Sequence, residues 1–143
     1  MTVSPQQCEL CQPQPDPVWR NEALSVILVD DANYPGFCRV IWHDHVQEMS
    51  DLAPSQRQEF MDVVNHVEVV QRTVLQPDKI NLASLGNVVP HLHWHVIPRF
   101  QDDAHFPSPV WAAAVRATDP AILAARRALL PALSAAIVQR LNP

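Results

Sequence analysis

The chain has 143 residues, 48% of them hydrophobic, which suits one compact domain with a single core. Ten basic residues stand against 15 acidic ones for a net charge of -5, and the single lysine, Lys79, leaves no basic tract, so no nucleic-acid partner is expected. No apolar run approaches the roughly 20 residues of a bilayer span, and Met1-Thr2-Val3-Ser4-Pro5-Gln6 lacks the basic and apolar parts of a signal peptide, so a soluble cytoplasmic protein with no membrane partner is expected.

The first feature in chain order is Cys8-Glu9-Leu10-Cys11, which suits a metal or redox role better than a disulfide framework, since three cysteines cannot all pair internally. Residues 12–17 are too rich in proline for regular structure, so the pair sits on an N-terminal arm or knuckle. Leu24 to Asp30 reads as a strand, residues 31–36 as a turn, and Phe37 to Trp42 as the returning strand of a hairpin, with Cys38 in the core. A helix then begins near Pro54 or Ser55. Phe60, Val63, Val64, Val67, Val70 and Val74 follow the three-and-four spacing of one helical face, and Pro77 forbids continuation. That apolar stripe should lie on a sheet.

Lys79 to Leu85 is the next strand. With only two glycines in the chain, no glycine-rich phosphate loop is available, and Gly86 marks a backbone position that a side chain would obstruct. Then follows His91-Leu92-His93-Trp94-His95-Val96-Ile97, ended by Pro98. In a strand, alternate side chains share a face, so His91, His93 and His95 form one row and Leu92, Trp94 and Val96 the other. Burial of the Trp94 face would set the register, because a slip of one residue would bury three imidazoles. Arg99 to Trp111 reads as a surface loop. Asp119-Pro120 starts a C-terminal helix with Ile122, Leu129, Leu133 and Ile137 on its apolar face, which Pro131 should kink or divide. These elements make an α+β domain on an antiparallel sheet of about five strands, with a long central helix and a C-terminal helix. The expectation is one domain over 1–143, its core about 8–111 and its helical extension 119–141. His43, His66 and His105 read as surface residues.

A row of imidazoles can bind a metal, move protons or attack an electrophile. Histidines at alternate strand positions can share one ion. A neutral imidazole whose other nitrogen donates to a fixed acceptor can instead attack phosphorus, while a neighbour donates to the phosphoryl oxygens. Chemistry alone leaves metal binding and phosphoryl transfer evenly matched.

The order His-φ-His-φ-His-φ-φ, with φ apolar, resembles the signature of the histidine triad (HIT) superfamily of nucleotide hydrolases and transferases, and residues 91–97 fill every position. Leu28 to Gly36 with its Pro-Gly turn, the strand leading to His45, Met49-Ser50-Asp51-Leu52 and Pro98-Arg99 are similar to the family in order and spacing, over roughly residues 8–111. The runs 79–87 and 106–111 look like a bacterial branch.

The resemblance implies that His93 is a nucleophile for the α-phosphorus of a nucleotide anhydride, ester or phosphoramidate, through a nucleotidyl-histidine that water cleaves. It implies that His95 holds phosphate oxygens and assists the leaving group, while the carbonyl of His91 orients the His93 ring. Asn87 would bind phosphate and Asp30 the ribose hydroxyls of a nucleotide, probed as a purine. It further implies a structural zinc on Cys8, Cys11, His45 and His91, a closed tetrahedral set, no organic cofactor, and a homodimer that joins two sheets edge to edge with Trp111 at the contact. Two departures bear on substrate and efficiency: Phe37 stands where many members have a further pocket histidine, and the 85–91 loop is shorter. The competing readings are a nucleotide- or metal-binding module with weak or no catalysis, and a catalytic metal enzyme.

Overall fold

The structure, a computed structural model, describes residues 4–142. Met1, Thr2 and Val3, half of the stretch without signal-peptide character, lie outside the described residues. Five strands, β1 (Trp19–Arg20), β2 (Leu24–Leu28), β3 (Cys38–Trp42), β4 (Lys79–Ala83) and β5 (His93–Arg99), form one antiparallel sheet in the order β1-β2-β3-β5-β4. With helices α1 (Pro54–Leu75), α2 (Pro120–Arg127) and α3 (Leu130–Leu141) this is an α+β fold.

The α1 stripe buries Phe60, Val63, Val64, Val67 and Val70 against one face of the sheet, where Val26, Val40, Trp42 and Val96 meet it and Trp94 packs at the margin. Pro54 occupies the first turn, where its missing N–H costs nothing, and Gln76 closes the helix in the left-handed region at φ 52° before Pro77. The opposite face of the sheet is therefore free to carry His93 and His95.

Several boundaries differ from the sequence expectation. The first hairpin strand ends at Leu28 rather than Asp30, because the turn takes over: Asp31 N donates to the carbonyl of Val29 and Tyr34 N to that of Asp31. β1 is two residues long and carries no periodicity to read. Pro98 lies inside β5 opposite Ile80. Lacking an N–H, it can sit only at a non-hydrogen-bonded pair, and β3 has already ended beside Val96.

The C-terminal segment divides at Pro131 into α2 and α3, and only Leu133 and Ile137 of its four apolar residues are buried; Ile122 and Leu129 face solvent. Taken together, 120–141 is a 22-residue stretch long and apolar enough by composition to cross a membrane, contrary to the expectation that no such run exists. In this fold its inner side packs on α1, where Leu133 and Ile137 join the main core.

Candidate active site and metal centre

β5 begins at His93, so the row of three is two strand histidines plus one that precedes the strand. His91 leaves the ladder because its own N–H donates to Val89 O at 2.8 Å and its ring is tied sideways to β3, Nε2 donating to the carbonyl of Trp42 at 2.5 Å. A carbonyl can only accept, so the proton of His91 is on Nε2 and the lone pair is on Nδ1. That lone pair faces His45 Nδ1 at 3.2 Å and the sulfurs of Cys8 and Cys11, both at 3.4 Å. Cys11 Sγ lies 3.1 Å from His45 Nδ1.

The four donor atoms lie within 4.8 Å of one another. The arm that brings the thiols is held by the turn Cys11 N to Cys8 O and by Leu10 packing on Ile41. Burial, with Cys8 alongside, pushes the Cys11 thiol up to about 11, so an incoming metal would have to displace its proton. Two sulfurs and two imidazoles, converging with the tautomer of His91 already set by Trp42, can hold a metal ion.

The same reasoning fixes His93. Its Nδ1 lies 2.6 Å from the carbonyl of His91 and must donate to it, which leaves Nε2 with the lone pair in the neutral ring. Burial, opposed by that hydrogen bond and aided by the charge of Arg39, lowers its proton affinity. His95 is driven down to about 4 by burial and by the charges of His93 and Arg39, so it is neutral at pH 7. Its ring meets His93 edge-on with centroids 4.9 Å apart, and Phe37 and Trp111 at 5.7 and 5.2 Å close its other sides. The buried Nδ1 of His95 has no partner within the protein. Phe37 thus fills the side of His95 where a further imidazole would have been polar.

A cavity of about 490 Å³ opens over these rings, lined also by Asn87, Arg39, Glu9 and Trp111. Strand register explains the composition: Arg39 of β3 stands opposite His95, and Ile41 opposite His93. Of the residues singled out in the sequence, the cavity brings together His93, His95 and Asn87, and the arm cluster brings together Cys8, Cys11, His45 and His91. Asp30 is exposed beyond the end of β2 and does not line the cavity.

Sequence reasoning missed Arg39 altogether and took Trp111 only as a contact between protomers. The one signal for Arg39 was its place within an otherwise apolar strand on the parity of Phe37 and Ile41, which means nothing until the register is known. The loop after β5 is also more than a surface crossing. Arg99 makes a two-point contact with Asp103 at 2.8 and 3.1 Å and donates to Asn81 and to Ser108 O, so the segment that presents Trp111 is anchored to β4 and β5. His105, expected at the surface, stacks on Tyr34 and shares a 2.6 Å hydrogen bond with its hydroxyl. His43 is half-buried and bonded to Ser25, and His66 accepts from Arg140.

The HIT domain family matches residues 14–102, more than half of the chain. The chain belongs to the HIT domain family. No curated protein matches it. Among solved structures, the HIT chain is similar to a histidine triad protein from Bradyrhizobium japonicum at 27% identity and a TM-score of 0.70, covering 87% of this chain and 89% of that one. A histidine triad protein from Marinobacter aquaeolei VT8 matches at 26% identity and 0.67, covering 85% and 90%. A zinc-bound histidine triad family protein from Mycobacterium smegmatis shares the fold at 21% identity and 0.63, covering 95% and 96%. The five-stranded antiparallel architecture is thus that of bacterial HIT proteins.

Proposed function

We propose that this HIT protein is a nucleotide hydrolase or nucleotidyl transferase that cleaves a phosphoanhydride or phosphoramidate through a nucleotidyl intermediate on His93. The observation that carries the reading is the 2.6 Å contact from His93 Nδ1 to the carbonyl of His91. It presents Nε2 as a lone pair over a cavity of about 490 Å³, with His95 beside it. Family membership supports the nucleotide as substrate, and a purine is the natural first probe. Asn87 lines the cavity, which supports it as a phosphate contact, whereas Asp30, exposed and outside the lining, finds no such support for ribose recognition. His93→Ala should abolish turnover of an adenosine phosphoramidate or a diadenosine polyphosphate while the circular dichroism spectrum stays native. Rapid quenching of the wild type with labelled substrate should trap a histidine adduct. Undiminished turnover in the variant would sink the proposal.

The alternative, a binding module without catalysis, draws on Phe37, which packs on His95 and supplies no polar atom. It predicts nucleotide binding with no adduct.

Zinc is proposed for the arm cluster. Tetrahedral coordination at the usual zinc distances places nitrogens about 3.3 Å apart and sulfur about 3.6 Å from nitrogen, close to the 3.2 Å and 3.1–3.4 Å seen. Cys8, Cys11, His45 and His91 would hold it as a closed structural site that cross-links the arm to β3 and β5, leaving His93 and His95 for chemistry. A homodimer is proposed along edge strand β4, where Leu82, Leu85 and Trp111 are exposed. A monomer by small-angle scattering at micromolar concentration would count against it.

A further inference from the structure

Arg39 is the only lysine or arginine among the described residues that line the cavity around His93. It stands directly opposite His95 on the neighbouring strand. Side chains at such positions share a face with Cβ atoms about 4.5–5.5 Å apart. Its Nε is buried with no hydrogen-bond acceptor, and among the described residues no carboxylate comes within 4.0 Å of it, the ion pairs being Arg99–Asp103 and Arg126–Asp102. Arg39 is half-buried, and Glu9 shares the cavity lining without pairing to it. A buried guanidinium nitrogen left without an acceptor is costly, and folds retain such groups where a ligand supplies the missing partner. The two unsatisfied buried nitrogens of the site, Arg39 Nε and His95 Nδ1, belong to facing residues of one cross-strand pair.

We propose that Arg39 is an anion subsite for the leaving group, so that the cavity is built for a phosphoanhydride, in which a second phosphate follows the attacked phosphorus, rather than for a phosphoramidate. The inference rests on the covalent reading of His93. In the first step Nε2 of His93 forms a bond to the α-phosphorus, and the bond from that phosphorus to the bridging oxygen breaks. Its electron pair leaves on the outgoing phosphate, where Arg39 meets the added charge. The leaving phosphate needs no proton. In the second step water bonds to the phosphorus, the nitrogen–phosphorus electron pair returns to Nε2, and the proton of the water passes to solvent. An amine expelled from a phosphoramidate would need a proton as it left, and His95, uncharged at pH 7, keeps a single N–H that can donate to phosphate oxygens but carries no second proton to give. The anionic leaving group and the uncharged histidine therefore belong to the same chemistry.

The test compares kcat/KM for diadenosine triphosphate and adenosine 5′-phosphoramidate in the wild type, Arg39→Leu and Arg39→Lys. It adds calorimetric binding of inorganic pyrophosphate and inorganic phosphate, which needs no turnover. The wild type should prefer the anhydride and bind pyrophosphate more tightly than phosphate. Arg39→Leu should cut both preferences by roughly tenfold or more, the size of a charge-assisted hydrogen bond, and Arg39→Lys should keep part of them. Arg39→Leu should also unfold at a higher temperature, since a buried nitrogen without a partner is removed; a purely structural arginine would shift the midpoint down instead. Both preferences unchanged in Arg39→Leu, or no pyrophosphate binding to the wild type at millimolar concentration, would overturn the subsite. If neither nucleotide is turned over but Arg39→Leu still abolishes the pyrophosphate preference, the subsite stands and the covalent reading of His93 falls.

Discussion

Gly36 turns the backbone with φ +92°, and a Cβ built there would lie 2.4 Å from Cδ1 of Leu75, the last residue of α1. Gly86 also has a positive φ, +82°, but its nearest neighbour to a Cβ is Val89 O at 3.5 Å. The expected obstruction at Gly86 is therefore absent and its constraint is conformational alone, whereas Gly36 carries both. Gly36→Ala should cost about 1–3 kcal/mol and Gly86→Ala about 1 kcal/mol, read from urea denaturation midpoints at equal slope. Equal losses at the two positions would show that the contact with Leu75 relaxes freely. Gln71 is a residue that the helical stripe could not announce. It is wholly buried among valines of α1, and its Nε2 donates to the carbonyls of Gly36 and Val96, both at 2.9 Å. Its meaning depends on two backbone acceptors that arrive from elsewhere in the chain.

Among the elements, α1 was legible because the apolar spacing sustained from Phe60 to Val74 matches one face of a helix and neither face of a strand. The histidine strand was legible by its alternation, but its beginning was not, since His91 obeys partners on β3 and the arm rather than the strand. The loop after β5 had no periodicity at all, and what orders it is polar. Asp103 is buried, which by itself would raise its pKa, yet the Arg99 guanidinium and the N–H groups of Phe100, His105 and Phe106 outweigh this and hold it near 2. A carboxyl depressed from its unfolded value contributes stability above about pH 4 that is lost as the pH falls through about 2, worth roughly 2 kcal/mol. Asp103→Asn should lower the unfolding free energy at pH 7 and flatten its decline between pH 4 and pH 2. If the decline keeps its full depth in the variant, other carboxylates carry it. Because this clamp anchors the segment ending at Trp111, the same variant should raise KM for the nucleotide.

For the whole molecule, the proposed zinc makes a testable link between distant parts of the chain, since residues 8, 11, 45 and 91 meet at one point. Metal that binds the folded form alone adds to stability by mass action. Treatment of the zinc-loaded protein with a strong chelator should lower its melting temperature by several degrees, and re-addition should restore it. Cys8→Ser should start lower and respond little to either. Turnover that stops on chelation at a temperature where the chain stays folded would favour a catalytic metal over a structural one.

From the sequence by itself came the α+β class, the helical stripe, the hairpin, the family, and the residue types able to attack phosphorus or hold a metal. These follow from local periodicity and from chemistry carried within a few residues. The family resemblance already grouped His91 with Cys8, Cys11 and His45, and the structure brings those four together. Only the tertiary structure decided how the ring of His91 is turned to them by Trp42, that Asp30 stays outside the cavity, and that Arg39 stands beside His95. Each of those outcomes depends on strand register and on which backbone carbonyl captures which ring. Apart from the capture of the His93 ring by the carbonyl of His91 two residues back, such pairings join residues tens of positions apart, and no local pattern encodes them.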